Sequence, residues 1–170
     1  GFFCACRAEN FAKFYSDLLN QPKISLSRLS LSINGQAVGP PILNDILFAN
    51  PNPAATTRYK LNENSYRNSG LLASTAAGST AWTFQEGFET LPLESQEFQF
   101  IHRGTRNSRV NITSMLEIHS LTRKGTIFID GDHCSIPLYI GQRLQITSGK
   151  PINVLGDINK KRAEFLREHD

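Results

Sequence analysis

No stretch of these 170 residues stays apolar long enough to cross a bilayer as a helix, which sets aside an integral helical membrane protein. Cysteine is scarce and odd in number: Cys4, Cys6 and Cys134. With no second Cys/His pair to complete a zinc spacing, neither a disulfide framework nor a zinc module is expected. Free buried thiols in a reducing compartment are. The four histidines, His102, His119, His133 and His169, form no spaced pair, so none is assigned to catalysis or metal. An excess of one charge is also missing, since 18 Lys and Arg against 15 Asp and Glu leave a net +3. Much of that basic character sits in Lys160-Lys161-Arg162 and Arg167, on a terminal segment of helical pattern, and reads as a solvated face rather than a nucleic-acid patch. No internal repeat and no low-complexity tract is present, and no Gly-x-Ser-x-Gly elbow supports a hydrolase triad. The opening apolar run Gly1 to Cys6 is too short for a signal peptide and lacks its basic flank; it reads as a strand of a longer chain.

What is present is an ordinary globular composition, 39% hydrophobic and 19% charged, with enough length for one real core. Ala8 to Asn20 carries Phe11, Phe14, Tyr15, Leu18 and Leu19 at helical spacing, and Pro22 closes it. From Lys23 the period becomes two, with a phase slip at Arg28-Leu29 that predicts a bulge and Asn34-Gly35 as a hairpin turn. Further short strands are expected over 42–49, 57–61, 71–73, 97–102, 110–118, 125–129, 134–140, 143–148 and 152–155. One helix is expected among them near Thr80 to Phe88, and a C-terminal helix over Asn159 to Glu168. The fold class expected is therefore mainly β, a sandwich of short strands with an N-terminal αβ piece, one inserted helix and a C-terminal helix. The divisions expected are 1–22, 23–156 and 157–170.

The stretch from Ser69 to Trp82 carries the chemistry. A short apolar run, Leu71 to Ala73, gives way to Ser74, Thr75, Gly78, Ser79 and Thr80 before the pattern that can be helical. Small residues between a strand and a helix start let a ligand approach the backbone, and a helix N-terminus favours an anion such as a phosphate. The same composition also serves as a plain cap. Asp130-Gly131-Asp132 reads as a hairpin turn rather than a metal site, and Asn50-Pro51-Asn52-Pro53 as a rigid loop.

Ser69 to Trp82 closely resembles the Asp-Gly-Leu…Ser-Thr-Pro-Thr-Gly-Ser-Thr-Ala-Tyr stretch of NAD kinases. Leu43-Asn44-Asp45 resembles that family's Leu-Asn-Glu segment, and Gly125 to Gly131 resembles its strand ending in Asp-Gly. The likeness is to the C-terminal, all-β half, closest to the plant and mitochondrial type. That half implies NAD binding and self-association. The Gly-Gly-Asp-Gly-Thr motif that carries the family's catalytic aspartate is absent, so no catalytic residue is assigned to this chain. The reaction implied is transfer of the γ-phosphoryl of ATP, or of polyphosphate, to the 2′-hydroxyl of the adenosine ribose of NAD, making NADP. Such a transfer needs positioning and metal-neutralised phosphates more than covalent help from protein. Mg would arrive with ATP, on no residue identifiable here, and cytoplasm or mitochondrial matrix would be the compartment.

Carried over, Asn44 and Asp45 match the pair that hydrogen-bonds the acceptor's adenosine, a carboxylate being able to accept from two ribose hydroxyls. Thr80 and Ala81 match positions that touch an adenine. Trp82 replaces the family's tyrosine, with a larger stacking face but only an N–H donor. Thr75, Gly78 and Ser79 belong to the same substrate-binding turn, Ser69 stands where many members bind the nicotinamide amide through an aspartate, and Arg67 where some place a basic residue near phosphate. An Asp45 that serves the pocket rather than the core predicts that its loss leaves the unliganded protein about as stable. Two other readings stay open, a related lipid or sphingoid-base kinase β-domain and a non-catalytic β-sandwich interaction module. No membrane and no nucleic-acid partner is expected.

Overall fold

The computed structural model describes residues 6–169, so the strand expected over Gly1 to Cys6 falls, but for Cys6, outside the described residues. Within them the period-two pattern becomes twelve strands in two six-stranded sheets whose neighbours all pair antiparallel. One sheet runs β2 (Gln36–Ile42), β1 (Lys23–Ile33), β12 (Arg143–Leu155), β9 (Met115–Ser120), β4 (Thr57–Leu61) and β5 (Asn64–Asn68). The other runs β11 (Cys134–Tyr139), β10 (Lys124–Ile129), β3 (Asp45–Ala49), β6 (Gly70–Ser74), β7 (Phe98–Arg103) and β8 (Asn111–Thr113). The inner faces meet in one core, with Leu29, Leu31, Tyr59, Ile118 and Ile146 from the first sheet against Ile46, Phe48, Leu71, Phe98 and Ile127 from the second. The sandwich expected from the strand pattern is the fold observed.

Where the strands differ from expectation, the sheets supply the reason. The run 42–49 is two strands, because the chain changes sheet at Leu43-Asn44 between β2 and β3. The run 110–118 likewise splits into β8 and β9, which lie in different sheets. The runs 143–148 and 152–155 are instead one strand, β12. The register of β12 against β1 shifts between Leu26 and Arg28, so Pro151, which has no N–H to offer, sits at the bulge where no ladder bond is required. That shift lies one step before the expected Arg28-Leu29. Asn34 and Gly35 do turn a hairpin, both at positive φ (51° and 81°) as such a turn demands.

The N-terminal segment is helical as its spacing predicts, α1 (Phe11–Ser16) being flanked by 3-10 turns. Its Phe11, Tyr15 and Leu19 are exposed. The helix expected over Thr80 to Phe88 is not α-helical. Gly78–Thr80 and Trp82–Glu86 form two 3-10 turns, and Gly87, at a left-handed φ of 81°, ends them. Hydroxyl side chains compete with the backbone here, Thr83 Oγ1 donating to the Gly78 carbonyl at 2.8 Å. The anion site imagined at a helix N-terminus therefore has no helix behind it. The C-terminal helix α2 (Ile158–His169) forms as expected. No helix among the described residues is long and apolar enough to cross a membrane.

Candidate functional site: a carboxylate beside a hydroxyl-braced turn

Strand alternation sends Ile46 and Phe48 of β3 into the core, so Asp45 and Leu47 face the opposite side of the sheet. There they line a cavity of about 220 Å³ with Trp82, Phe128, Gly131 and Asp132. This is smaller than the roughly 300–1,000 Å³ of a typical ligand pocket, so it suits one part of a ligand rather than all of it.

Asp130 builds the approach to this cavity. Its backbone is left-handed (φ 49°) in the turn between β10 and β11, so the Asp-Gly turn expected there is present. Its carboxylate accepts from three successive backbone N–H groups, Leu43 at 3.0 Å, Asn44 at 2.7 Å and Asp45 at 3.2 Å. Its own N–H donates back to the Asp45 carbonyl at 2.9 Å. Asp130 thus holds the point where the chain changes sheet. A carboxylate saturated this way is a structural acceptor, and among the described residues no three His, Cys, Asp or Glu side chains converge to hold a metal ion.

The Ser-Thr-Gly turn is tied to the same point. The Asn44 carbonyl accepts from the Thr75 N–H at 2.9 Å and from Ser74 Oγ at 3.1 Å, and the Leu43 carbonyl accepts from Thr75 Oγ1. Thr75 Oγ1 also accepts from the Gly78 N–H at 3.0 Å. Gly78 sits so close that a Cβ there would lie 2.1 Å from the Asn44 carbonyl oxygen, which is why only glycine fits. Ser79 Oγ donates to the Ala76 carbonyl at 2.8 Å, and Thr80 Oγ1 to that of Ala77 at 3.4 Å.

Of the residues singled out from the sequence, Asn44, Asp45, Thr75, Gly78, Ser79, Thr80, Ala81 and Trp82 are brought together. Thr75 and Ser79 are buried with their hydroxyls spent on the turn itself, so they brace the site rather than line it. Ala81 is exposed, and Trp82 is 40% exposed, which rules out a core role for the single tryptophan. The Arg103 guanidinium stacks 4.8 Å from the Trp82 ring centroid and is held there by Glu86 at 2.9 Å. The Asn44 side-chain oxygen is buried without a hydrogen-bond donor among the described residues.

Ser69 and Arg67 are not part of this cluster. Ser69 precedes Gly70 at the far end of β6 from Ser74, the register partner of Asp45, roughly 16 Å along the strand at ~3.3 Å per residue. Arg67 lies in the other sheet, donates to Thr56 Oγ1 at 3.2 Å, and lines a separate groove with Arg58, Arg123 and Lys124. Both are exposed.

Burial raises the Asp45 carboxyl from its ordinary 3.8 to about 6, and the neighbouring Asp130 charge adds to the rise. No hydrogen bond from the described residues reaches this carboxylate, so a ligand hydroxyl would meet an acceptor with free lone pairs. Elsewhere, burial holds His102 below the usual histidine range, and burial pushes the Tyr59 phenol up. These two share a hydrogen bond of 2.7 Å, and His102 stacks on Tyr66 at 4.0 Å, an arrangement inside the sandwich and away from the cavity.

Sequence reasoning missed three contributors. Asp130 was visible as a turn former and as the end of a strand resembling the family's Asp-Gly segment, but not as the acceptor for nearby N–H groups that an Asp tolerating positive φ can be. Phe128 and Arg103 gave no local signal at all. The basic C-terminal run needs one correction: Lys160 and Arg167 are solvated as expected, but Arg162 is buried. Its guanidinium finds the Ala76 carbonyl on the turn segment and the Leu91 carbonyl beyond it, which the helical pattern alone does not reveal.

No protein-family model matches the chain. Among curated proteins it is 31% identical over 177 residues to a probable NADH kinase of Oryza sativa subsp. japonica, covering 89% of this chain and 54% of that protein. It is also 31% identical over 178 residues to an NADH kinase of Arabidopsis thaliana, covering 89% of this chain and 55% of that protein. The crystal structure of yeast NADH kinase complexed with NADH has a TM-score of 0.83 at 15% identity, covering 99% of this chain and 55% of that one. The chain thus spans about half the length of the relatives it matches. By sequence the chain is related to NADH kinases, with a two-sheet fold that agrees, and it corresponds to about half of such a protein.

Proposed function

We propose that this chain is the acceptor-binding half of an NAD(H) kinase. In the whole enzyme the γ-phosphoryl of ATP, or of polyphosphate, passes to the 2′-hydroxyl of the adenosine ribose to make NADP or NADPH. The observation that carries this reading is the buried Asp45 carboxyl, on a backbone whose N–H is fixed by Asp130, lining one cavity with Trp82 in a chain related to NADH kinases. Asp45 accepts from the ribose hydroxyls, and the orphaned Asn44 oxygen accepts a further donor of the adenosine. The Trp82 ring, backed by Arg103, offers a flat face to the base.

The residues present fit an acceptor site better than a phosphoryl-donor site. Mg would enter with ATP and neutralise its phosphates; no cluster of three metal-ligating side chains among the described residues would hold it. A lipid-kinase acceptor site would be expected to be mainly apolar, and the open lining of this cavity is mainly apolar too; the nucleoside reading is favoured instead by the buried Asp45 carboxyl at its wall and by the sequence relationship to NADH kinases. The free thiols of Cys6 and Cys134 suit a reducing compartment such as cytoplasm or mitochondrial matrix.

Isothermal titration of the chain with NADH and NAD tests the reading, saturable binding of either being the expected result. The same preparation, supplied with ATP and Mg, should form no NADP or NADPH, because the catalytic aspartate motif is absent from its sequence. Failure to bind either dinucleotide would return the chain to the class of non-catalytic interaction modules.

A further inference from the structure

Helix α2 places Ile158, Arg162 and Phe165 at i, i+4 and i+7, one face of a helix, and all three meet the segment running from Ala76 to Phe84. Ile158 is buried in the small cluster that holds Ala77. Phe165 packs edge-on against Phe84 with ring centroids 5.7 Å apart. Between them Arg162, only 5% exposed, donates from one terminal nitrogen to the Leu91 carbonyl at 2.6 Å. From the other it donates to the Ala76 carbonyl at 2.9 Å and to Ser79 Oγ at 2.8 Å. Ser79 Oγ itself donates to the Ala76 carbonyl, so the guanidinium closes a ring of contacts on the back of the turn.

The cost of this arrangement is visible. Arg162 Nε is buried without a partner among the described residues, and no ion pair within 4 Å neutralises the guanidinium, the Glu94 charge favouring it only from further away. A buried cation without an ion-pair partner is unfavourable unless its hydrogen bonds compensate. A planar fork can bridge two carbonyls and a hydroxyl on two separate segments, which a lysine or an apolar side chain cannot do.

We propose that Arg162 is a positioning residue: carried by α2, it sets the geometry of the Ala76–Trp82 turn from behind and thereby the placement of Trp82 at the cavity. The inference rests on the reading of that cavity as a nucleotide site, but its test has an arm that does not. Trp82 is the single tryptophan of the chain and sits at the end of this turn, so its fluorescence reports the turn without any ligand.

The experiment compares the wild-type chain with Arg162→Met, Arg162→Lys, Ser79→Ala and, as an exposed neighbour on the same helix, Lys160→Ala. Acrylamide quenching of Trp82, the NADH dissociation constant and the urea midpoint are measured for each. Arg162→Met should make Trp82 more accessible to quencher and weaken NADH binding about tenfold or more. Ser79→Ala should move both in the same direction by less, Arg162→Lys should restore neither, and Lys160→Ala should change nothing. An Arg162→Met protein with a lowered midpoint but unaltered Trp82 quenching and NADH affinity overturns the proposal. Should Arg162→Met fail to fold, Arg162→Lys and Ser79→Ala carry the same decision. If the wild type itself does not bind NADH, the nucleotide reading fails, and the quenching arm alone then supports or overturns the positioning role.

Discussion

Replacing Asp45 with asparagine should make the unliganded protein more stable and its ligand weaker. The carboxylate is 6% exposed, and burial with help from Asp130 lifts it to about 6 from 3.8. Between those two values the folded state binds more protons than the unfolded state, so stability falls as pH rises through the window and levels off above it. A gap of roughly two units at ~1.4 kcal/mol each makes the ionised carboxylate a burden of about 3 kcal/mol at neutral pH, to order of magnitude. Well below pH 3.8 both states are protonated and the burden vanishes. Asp45→Asn keeps the shape and removes the titration. Urea unfolding should therefore show the variant more stable by up to about 3 kcal/mol at pH 7.5, with the gain shrinking towards pH 4.5. The buried carboxyl thus predicts a gain in stability, where the sequence alone led to the expectation that loss of Asp45 would change stability little. Over the same substitution NADH affinity should fall about ten- to a hundred-fold, by loss of charge-assisted bonds worth roughly 1.5–3 kcal/mol. A variant with the same pH dependence of stability as wild type, or one that binds NADH as tightly, would refute the assignment.

Gly78→Ala should cost on the order of 3 kcal/mol or prevent folding, since the added methyl would lie 2.1 Å from the Asn44 carbonyl oxygen; urea midpoints at neutral pH measure it. Asp130→Ala should destabilise by at least about 3 kcal/mol by orphaning the N–H groups of Leu43, Asn44 and Asp45, and differential scanning calorimetry would show it. Sedimentation at micromolar concentration should show self-association. The sheets end in the edge strands β2, β5, β11 and β8, and only β2 and β11 carry prolines to blunt pairing, so a purely monomeric profile would count against the expectation.

The chain itself determined its class through local rules. Alternation with a period of two, broken by Asn34-Gly35 and Asp130-Gly131, is enough to specify short antiparallel strands, and two apolar faces are enough to require a sandwich. The Ser-Thr-Gly turn was legible from its composition, and the Asn44-Asp45 pair only from its resemblance to the Leu-Asn-Glu segment of NAD kinases. Tertiary structure alone decided which of these residues meet. Ser69 is continuous with the turn in sequence, yet extended backbone carries it roughly 16 Å from Ser74. Asp130 is remote in sequence from Leu43, yet antiparallel pairing of β10 with β3 sets its carboxylate on three N–H groups of the sheet crossing. Whether 80–88 became α-helix also lay beyond local pattern, since the Gly78 carbonyl ahead of it is taken by the Ala81 N–H and the buried Thr83 hydroxyl. Arg162 is the sharpest case. Charge predicts solvent for an arginine, and only the packing of α2 on the turn brings it to the carbonyls that keep it buried.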